Sequence, residues 1–217
     1  MTKLPFLTEE DWTDAIEPVG RHLASGGLLA HPTETVYGLG SRPQADDLAA
    51  LTVLKQRQKQ KPFLLLVGSR AMAEQQGLEF TQAALELSAS FWPGPLTLVL
   101  CGGERILPDA LRGPEGGIAV RWTSHKGVET LINALDLPLT STSANRPGGV
   151  PAPSAEMVEA TFGEAIDDGT LLILDGGVLG NTPPSTIVDC TNERPRVVRS
   201  GVIPLDQLRA EIESLAP

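Results

Sequence analysis

Cysteine and histidine are scarce in this chain, which argues against a disulfide framework and against a metal centre. Its 217 residues include two cysteines, Cys101 and Cys190, both at the ends of apolar runs. Reduced thiols packed as small hydrophobic groups account for such cysteines. His22, His31 and His125 are far apart in sequence and show no metal-ligand spacing, so we predict no metal site formed by the protein itself.

Long apolar runs and export signals are also missing. The longest apolar runs, such as LTLVLC at 96–101, have the length of buried strands rather than of membrane spans. The segment MTKLPFLTEEDW at 1–12 shows no charged stretch followed by an apolar one. We therefore expect a cytoplasmic protein that does not associate with membranes.

The composition indicates a globular domain with an acidic surface and one basic spot. Hydrophobic residues make up 41% of the chain and charged residues 20%, and the length suffices for one α/β domain with a core. The net charge is −10, which disfavours nucleic acid unless the cations are concentrated. Four cations do cluster within residues 55–61, so we expect a small anionic ligand rather than a broad RNA platform.

Helical and strand-like patterns alternate along the chain, which predicts an α/β sheet with functional loops at the strand ends. The polar segment TNERP separates two strand-like runs and predicts a hairpin, so the sheet is expected to be mixed. Pro18 should lie early in the first helix or kink it, and Gly163 should close a later one. The predicted helices cover 11–25, 45–57, 70–76, 81–91, 126–135, 154–163 and 204–215, and the predicted strands 28–32, 62–68, 95–101, 117–122, 170–177, 185–190 and 196–201.

The segment HPTETVYGLG at 31–40 places three polar side chains, Thr33, Glu34 and Thr35, at the exit of a strand. Gly38 and Gly40 are expected to let the backbone turn close to a ligand. An ordinary turn, whose threonines satisfy backbone groups, explains the segment equally well.

The segment KQRQKQKP at 55–62 carries Lys55 and Arg57 two residues apart. On a continuous helix these side chains would point in different directions. If the helix ends here, an extended Lys-x-Arg can aim both side chains at one anion, with arginine as a bidentate phosphate ligand and lysine as a point charge. The alternative is a solvated helix end, which the strand that follows at once makes less favourable.

Hydroxyl and amide side chains follow the strand of PLTSTSAN at 138–145, a composition suited to phosphate or ribose oxygens. They are Thr140, Ser141, Thr142, Ser143 and Asn145. The chain has neither a P-loop nor a dinucleotide-binding glycine pattern, so nucleotide binding would use another architecture. A serine- and threonine-rich turn with no ligand remains the alternative.

Two arginines, Arg121 and Arg199, stand at the ends of apolar strands. A half-buried arginine needs an anionic partner, either an internal carboxylate or a substrate. No arrangement of a covalent nucleophile with a histidine is indicated. Catalysis would therefore depend on positioning and on charge neutralisation.

Taken together, these segments closely resemble the YrdC/Sua5 family of threonylcarbamoyl-AMP synthases. The resemblance runs from about Gly26 to Gly201 and rests on PTETVYGLG, Lys55-x-Arg57, FWPGPLTLVL, IAVR, STSAN, LDGG, PSTIVD and VVRSG. It implies one YrdC-like α/β domain over 1–217, with a core at about 12–203, a C-terminal helix over 204–215 and no additional C-terminal Sua5 domain. The implied architecture is a twisted, mixed and largely antiparallel sheet with flanking helices and a deep cationic cleft.

The resemblance also implies a reaction, in which L-threonine, bicarbonate and ATP give threonylcarbamoyl-AMP and pyrophosphate. Lys55 and Arg57 would be catalytic, Mg²⁺ would arrive with ATP, and no protein residue would hold a metal. A tRNA threonylcarbamoyl transferase complex would be the downstream partner, and a weak contact with tRNA is allowed. The implied nucleotide contacts are Lys55, Arg57, Thr97, Ser143, Asn145 and Arg199, and the implied threonine contacts are Thr33, Arg121, Ser141 and Ser185.

Two departures from the family pattern leave these functional groups in place. Gln58 follows Lys-x-Arg where relatives often have proline, and Lys126 occupies a second position where proline is usual. Three alternatives stay open: a paralogue with altered or lost activity, an RNA-binding module, and a carbamoyl-transfer domain of the hydrogenase-maturation type. A pI near 4.8 counts against strong binding of duplex RNA.

Overall fold

A computed structural model describes residues 2–56, 62–180, 182–212 and 215 of the chain. Within these residues, seven α-helices surround eleven β-strands. The helices are α1 Glu9–Ala24, α2 Ala45–Lys55, α3 Arg70–Gln75, α4 Gln82–Phe91, α5 Lys126–Leu135, α6 Ala155–Asp167 and α7 Leu205–Glu211. The strands are β1 Lys3–Pro5, β2 Leu28–His31, β3 Gly38–Gly40, β4 Leu64–Val67, β5 Leu78–Glu79, β6 Leu96–Gly102, β7 Ile118–Trp122, β8 Leu139–Ser143, β9 Leu171–Asp175, β10 Thr186–Asp189 and β11 Arg196–Arg199.

The strands form one mixed sheet in the order β1-β9-β2-β3-β8-β4-β7-β6-β10-β11, with β5 paired to β6 outside this path. Both parallel pairs, such as β4–β7, and antiparallel pairs, such as β6–β7, occur. The mixed α/β sheet predicted from the sequence is therefore confirmed, as is the antiparallel β10–β11 hairpin. This order brings β8, β4, β7, β6, β10 and β11 side by side, although they come from distant parts of the chain.

Several helices begin where the sequence places a capping residue. The Thr8 hydroxyl accepts a hydrogen bond from the Asp11 amide, and the Asp11 carboxylate accepts one from the Thr8 amide, which completes a capping box for α1. Pro18 lies in the middle of α1, not near its start, and the helix continues past it to Ala24. Burial of one apolar stripe, which includes Val19 and Leu23, favours this continuation.

Two expectations about glycine are wrong. Gly163 does not close α6, because the helix departs from helical geometry at Phe162 and then resumes to Asp167. Gly38 and Gly40 do not form a turn but lie in β3. A side chain at Gly38 would come within 2.7 Å of the Ser141 hydroxyl, and one at Gly40 within 2.2 Å of the Thr140 carbonyl oxygen. These glycines therefore let β3 pack tightly against its neighbouring strand β8.

The C-terminal helix is shorter than predicted. Helix α7 covers Leu205–Glu211, and Ile212 already has an extended conformation. Of the predicted range 204–215, residues 213 and 214 lie outside the described residues. Strands β1, β3 and β5 were not predicted, because segments of two or three residues carry no readable period.

The core lies between the sheet and its helices. Leu28, Leu29 and Ala30 of β2 are fully buried, and so are Val128 and Leu131 of α5. Burying a side chain such as leucine or valine contributes about 1.5–3 kcal/mol, so the core rests on many such groups. Across the described ranges, no helix is both long and apolar enough to cross a membrane.

Candidate functional site

A cavity of about 540 Å³ opens where β6, β7, β8, β10 and β11 lie together. Its charged lining consists of three arginines and two carboxylates, which are Arg121, Arg196, Arg199, Glu115 and Asp189. The cationic character implied for the cleft stays a prediction, since Arg57, Lys59 and Lys61 lie outside the described residues. Seven residues predicted for the site line this cavity: Thr33, Thr97, Arg121, Ser141, Ser143, Ser185 and Arg199.

Arg121 is the most deeply buried charge in the cavity wall, with 4% of its surface exposed. Its Nη1 lies 3.5 Å from Oε1 of Glu34, and its Nε has no hydrogen-bond partner. Burial lowers the pKa of this guanidinium, and the charge of Glu34 opposes that shift. A buried guanidinium with one loose ion pair keeps donors for an anion in the cavity.

Glu34 is fixed behind Arg121 rather than exposed to solvent. Its Oε2 accepts a hydrogen bond from the Thr123 hydroxyl, while its buried Oε1 has no hydrogen-bond donor. In the sequence, Glu34 stands out only as one of three polar residues at a strand exit. Its partnership with Arg121 depends on contacts between residues that are far apart in sequence.

Thr33 and Thr35 belong to a turn, as one interpretation of the sequence predicts, and they also lie on the cavity wall. Both line the cavity. The Thr33 hydroxyl donates to the Val36 carbonyl oxygen at 2.7 Å and accepts from the amides of Thr35 and Val36. Thr33 thus shapes the turn after β2, and its position on the cavity wall also fits the predicted threonine contact.

Ser141 connects the cavity to a buried histidine. Its hydroxyl lies 3.4 Å from Nε2 of His31, whose Nδ1 lies 3.2 Å from the Pro32 carbonyl oxygen. Burial lowers the pKa of His31 to about 4, so the ring is neutral near pH 7. The neutral tautomer that donates from Nδ1 leaves Nε2 as an acceptor. The Ser141 hydroxyl can then donate to His31, and its lone pairs remain for a ligand.

The neutral state of His31 makes folding stability depend on pH. Below pH 6.5 the unfolded chain takes up a proton that the folded protein accepts only near pH 4, so stability falls as the pH drops. We expect this group to remove about 3 kcal/mol of stability between pH 7 and pH 4. Urea unfolding of the wild type and of His31→Gln across this interval measures the effect. Parallel pH profiles for the two proteins would contradict it.

Lys55 lies at the C-terminal end of α2, where Gln56 adopts the left-handed conformation and ends the helix. The helix therefore ends at Lys55, as the sequence predicts, but Gln56 is left-handed and not extended. Lys55 is 5% exposed, and its ammonium donates to the Ser143 and Asn145 carbonyl oxygens and to Oδ1 of Asn145. Two segments predicted to act together, 55–62 and 138–145, therefore meet at this cation, although Lys55 and Asn145 are not among the residues that line the cavity. Arg57 lies outside the described residues.

Thr97, Ser185 and Arg199 form one hydrogen-bonded group. The hydroxyls of Thr97 and Ser185 are 2.9 Å apart, and Nη2 of Arg199 donates to the Ser185 hydroxyl at 3.0 Å and to its carbonyl oxygen at 2.8 Å. Burial lowers the pKa of Arg199, and the charge of Arg121 lowers it further. The two guanidiniums therefore act electrostatically on the same space. Ser185, predicted for threonine, touches Thr97 and Arg199, predicted for the nucleotide.

A second group of charges on the cavity wall was not predicted from the sequence. Arg196 contacts both carboxylate oxygens of Glu115, at 2.6 and 2.7 Å, and Oδ2 of Asp189 at 3.2 Å. Asp189 is the last residue of PSTIVD, and Arg196 directly precedes VVRSG. Their pairing follows from the register of β10 and β11, which a single sequence does not reveal. Glu115 comes from a separate glycine-rich loop.

The cysteines have the properties expected of packed thiols. Both are free, and burial raises the pKa of Cys190 to about 12 and also raises that of Cys101. Such thiols are poor nucleophiles at neutral pH. In the parts of the chain that the structure describes, no cluster of three or more His, Cys, Asp or Glu side chains is placed to hold a metal ion.

The fold and cavity define a class: a mixed α/β protein whose cavity is lined by the buried Arg121, by two further arginines and by several hydroxyl side chains. A family model for the Sua5, YciO and YrdC proteins, described as "Telomere recombination", matches residues 21–201. The chain belongs to this Sua5/YciO/YrdC family.

Individual relatives agree with this assignment. The chain is similar to a threonylcarbamoyl-AMP synthase of Chromohalobacter salexigens, with 42% identity over 183 residues, which cover 83% of this chain and 95% of that protein. The structure of Pyrococcus abyssi Sua5 complexed with L-threonine superposes with a TM-score of 0.87 at 30% identity, covering 99% of this chain and 61% of that one. Escherichia coli YciO has a TM-score of 0.80 at 24% identity over 95% of this chain and 98% of its own, which shows a shared fold.

Proposed function

We propose that this chain is an L-threonylcarbamoyladenylate synthase, a nucleotidyltransferase that acts on L-threonine, bicarbonate and ATP. Buried Arg121 carries the proposal, because its guanidinium lies on the cavity wall with its Nε unpartnered and one ion pair at 3.5 Å. A substrate carboxylate supplies the anion that such a group requires. The threonylcarbamoyl-AMP synthase at 42% identity and the threonine complex of P. abyssi Sua5 support the same reading.

Threonine would occupy the end of the cavity nearest Glu34. Arg121 would hold its carboxylate, with Thr33, Ser141 and Ser185 contributing hydroxyl contacts. The amine attacks the carbon of bicarbonate, a C–N bond forms, and water leaves to give a carbamate. Because Arg121 would hold the amino acid by its carboxylate, the carbamate would have few accessible positions. This restriction lowers the entropic part of the barrier to its attack on the nucleotide.

The nucleotide would bind beside this pocket through Lys55, Arg57, Thr97, Ser143, Asn145 and Arg199. A carbamate oxygen attacks the α-phosphorus of ATP, a P–O bond forms, and the bond to pyrophosphate breaks. Lys55 and Arg57 are the proposed catalytic residues, because cations placed at the phosphates stabilise the charge that develops there. Because Ser185 contacts both Thr97 and Arg199, the two proposed pockets adjoin, and the two substrates would lie next to each other.

Mg²⁺ would enter as part of the substrate MgATP. Magnesium prefers oxygen ligands and retains several waters, so substrate phosphates can hold it with little help from side chains. The absence of a three-residue metal cluster among the described residues is compatible with this mode of entry.

The product would serve tRNA modification. In this proposal threonylcarbamoyl-AMP passes, in the cytoplasm, to a tRNA threonylcarbamoyl transferase complex that modifies adenosine 37 of tRNAs reading ANN codons. A weak contact with tRNA is part of the proposal. The net charge of −10 favours a brief contact over stable RNA binding.

Release of pyrophosphate from MgATP tests the proposal. We expect release to require threonine and bicarbonate together, with serine much less effective than threonine. ATP binding without threonine-dependent release would point to the paralogue with altered activity. Salt-sensitive RNA binding in a protein that binds no nucleotide would instead favour the RNA-binding module.

A further inference from the structure

The loop that follows β8 contains a tight turn whose shape is favoured by its sequence. The turn covers Arg146, Pro147, Gly148 and Gly149, and a 2.9 Å hydrogen bond from the Gly149 amide to the Arg146 carbonyl oxygen closes it. Proline at the second position and glycine with a φ of +77° at the third are typical of a type II turn. Residues 147–150 are exposed, so the position of the turn depends on the residues at its start.

This turn orients the side chain of Asn145, which directly precedes it. Nδ2 of Asn145 donates to the Gly149 carbonyl oxygen, while Oδ1 accepts from the Ser143 hydroxyl at 2.7 Å and from the Lys55 ammonium. A flipped carboxamide would turn its N–H groups toward the ammonium, so the contacts with Gly149 and Lys55 select the same orientation. The turn and the cation therefore fix opposite ends of one carboxamide.

Arg146 connects the turn to two helices. Its Nη1 donates at 2.6 Å to the Leu54 carbonyl oxygen in the last turn of α2, and its guanidinium lies over the ring of Phe162 in α6, 4.8 Å from the ring centre. Carbonyl groups in the last turn of a helix lack partners within the helix and carry partial negative charge, so a cation is favourable there. The buried Phe162 ring offers a face on which a guanidinium stacks.

Lys55 and Arg146 connect the same two segments in opposite directions. Lys55 extends from the end of α2 to Ser143 and Asn145, and Arg146 extends from the loop back to Leu54, the residue before Lys55. Ser143 belongs to β8 and is held by the sheet, whereas Asn145 lies beyond the strand. Arg146 therefore holds the part of the loop in which Lys55 contacts Asn145.

We propose that Arg146 is a positioning residue, which holds the turn at 146–149 in place and thereby keeps the Asn145 carboxamide beside Lys55 for the nucleotide. Arg146 is not among the residues that line the cavity, so it acts through Asn145 and not on the ligand. The inference rests on the proposed function, because that function assigns Lys55 and Asn145 to ATP.

Substitution of Arg146 tests this role through kinetics and through ATP binding measured by calorimetry. Arg146→Met removes the guanidinium and should lower kcat/KM for ATP and the affinity for MgATP about tenfold, since misplacement of a functional group has effects of this order. The KM for threonine should stay the same. Arg146→Lys, which keeps a donor for the Leu54 carbonyl oxygen but has no planar group to stack, should lose less. Arg194→Met removes an exposed arginine from another turn and should behave as wild type.

A double-mutant comparison separates positioning from a general effect on stability. In a protein that already carries Asn145→Ala, adding Arg146→Met should change the affinity for MgATP by less than about twofold, because the group that Arg146 positions is gone. The effect of Arg146→Met on the urea midpoint should persist in that background, because the contacts with Leu54 and Phe162 are lost in either case. An equal loss of MgATP affinity in both backgrounds would overturn the positioning role.

The side-chain signals of Asn145 report the same geometry without turnover. In proton–nitrogen correlation spectra of the ligand-free protein, the Nδ2 protons are assigned by their disappearance in Asn145→Ala. They should lie away from the position of a solvated carboxamide in the wild type and move to it in Arg146→Met. Signals that stay in place in Arg146→Met would overturn the inference.

The two proposals fail in different ways. If Arg146→Met weakens MgATP binding but the wild type shows no threonine-dependent pyrophosphate release, the proposed function is defeated and the positioning role stands. Threonine-dependent release that is equally fast in the wild type and in Arg146→Met at limiting ATP would defeat the positioning role alone. A wild type that does not bind MgATP would defeat both.

Discussion

Replacing Arg121 with alanine is expected to raise the KM for threonine at least about a hundredfold and to change the KM for ATP little. Each charge-assisted hydrogen bond to a guanidinium contributes about 1.5–3 kcal/mol, and a carboxylate can accept two. Burial of Arg121 strengthens the effect, because few water molecules can reach the site to replace the hydrogen bonds of the lost guanidinium. Steady-state pyrophosphate release with threonine varied at saturating ATP measures this change.

The partner of Arg121 complicates this substitution, and the controls address it. Removing the arginine leaves the Glu34 carboxylate, whose side chain is only 15% exposed, without its cationic partner, and breaking a buried pair costs about 3–5 kcal/mol of stability. The double variant Arg121→Met with Glu34→Gln removes both charges and should remain folded. Glu34→Gln alone should give an intermediate threonine KM, because Arg121 stays but is less well oriented. An unchanged threonine KM in the folded double variant would contradict the assignment.

Replacing Lys55 with methionine is expected to lower kcat by about a hundred- to a thousandfold. The substitution keeps most of the side-chain volume and removes the positive charge beside Ser143 and Asn145. Loss of one preorganised group that stabilises charge in the transition state typically has an effect of about this size. Single-turnover formation of product at saturating threonine and ATP measures the chemical step directly.

The bonds from Lys55 to the loop after β8 require a matched control. Asn145→Ala removes the amide that Lys55 contacts but keeps the ammonium, so its kcat should fall less than that of Lys55→Met. Circular dichroism and the urea midpoint of both variants establish whether the loop still packs. Equal losses of kcat in the two variants would mean that Lys55 acts through the loop, not at the phosphates.

The sequence predicted the long elements of the fold well, for physical reasons that particular segments illustrate. The apolar run of β9, Leu171–Asp175, has no helical period and ends in Gly176 and Gly177, so its identity as a buried strand was readable. Short β3 was not, because Gly38–Gly40 has neither β-branched residues nor alternation. The predicted helix end at Gly163 was wrong for a different reason. Burial of Phe162 and Ile166 stabilises α6 beyond Gly163, although glycine is a weak helix former.

For the site, the sequence predicted which residues take part more readily than how they pair. Polar groups at strand ends were visible in STSAN and PSTIVD, and seven predicted residues do line one cavity. Contacts between distant segments were not visible. Glu34 reaches Arg121, and Glu115 reaches Arg196, because the fold brings together segments that are far apart in sequence. Proximity of this kind is a property of the folded chain, and a single sequence does not encode it in a local pattern.

In the proposed function, one site joins threonine, bicarbonate and ATP into threonylcarbamoyl-AMP and releases pyrophosphate and water. The most direct test incubates the protein with MgATP, threonine and bicarbonate that carries a heavy carbon isotope, followed by mass spectrometry of the nucleotides. We expect threonylcarbamoyl-AMP that contains the isotope, and we expect its yield to collapse in the folded Arg121→Met and Glu34→Gln double variant. ATP binding with no labelled adenylate in the wild-type protein would contradict the claim.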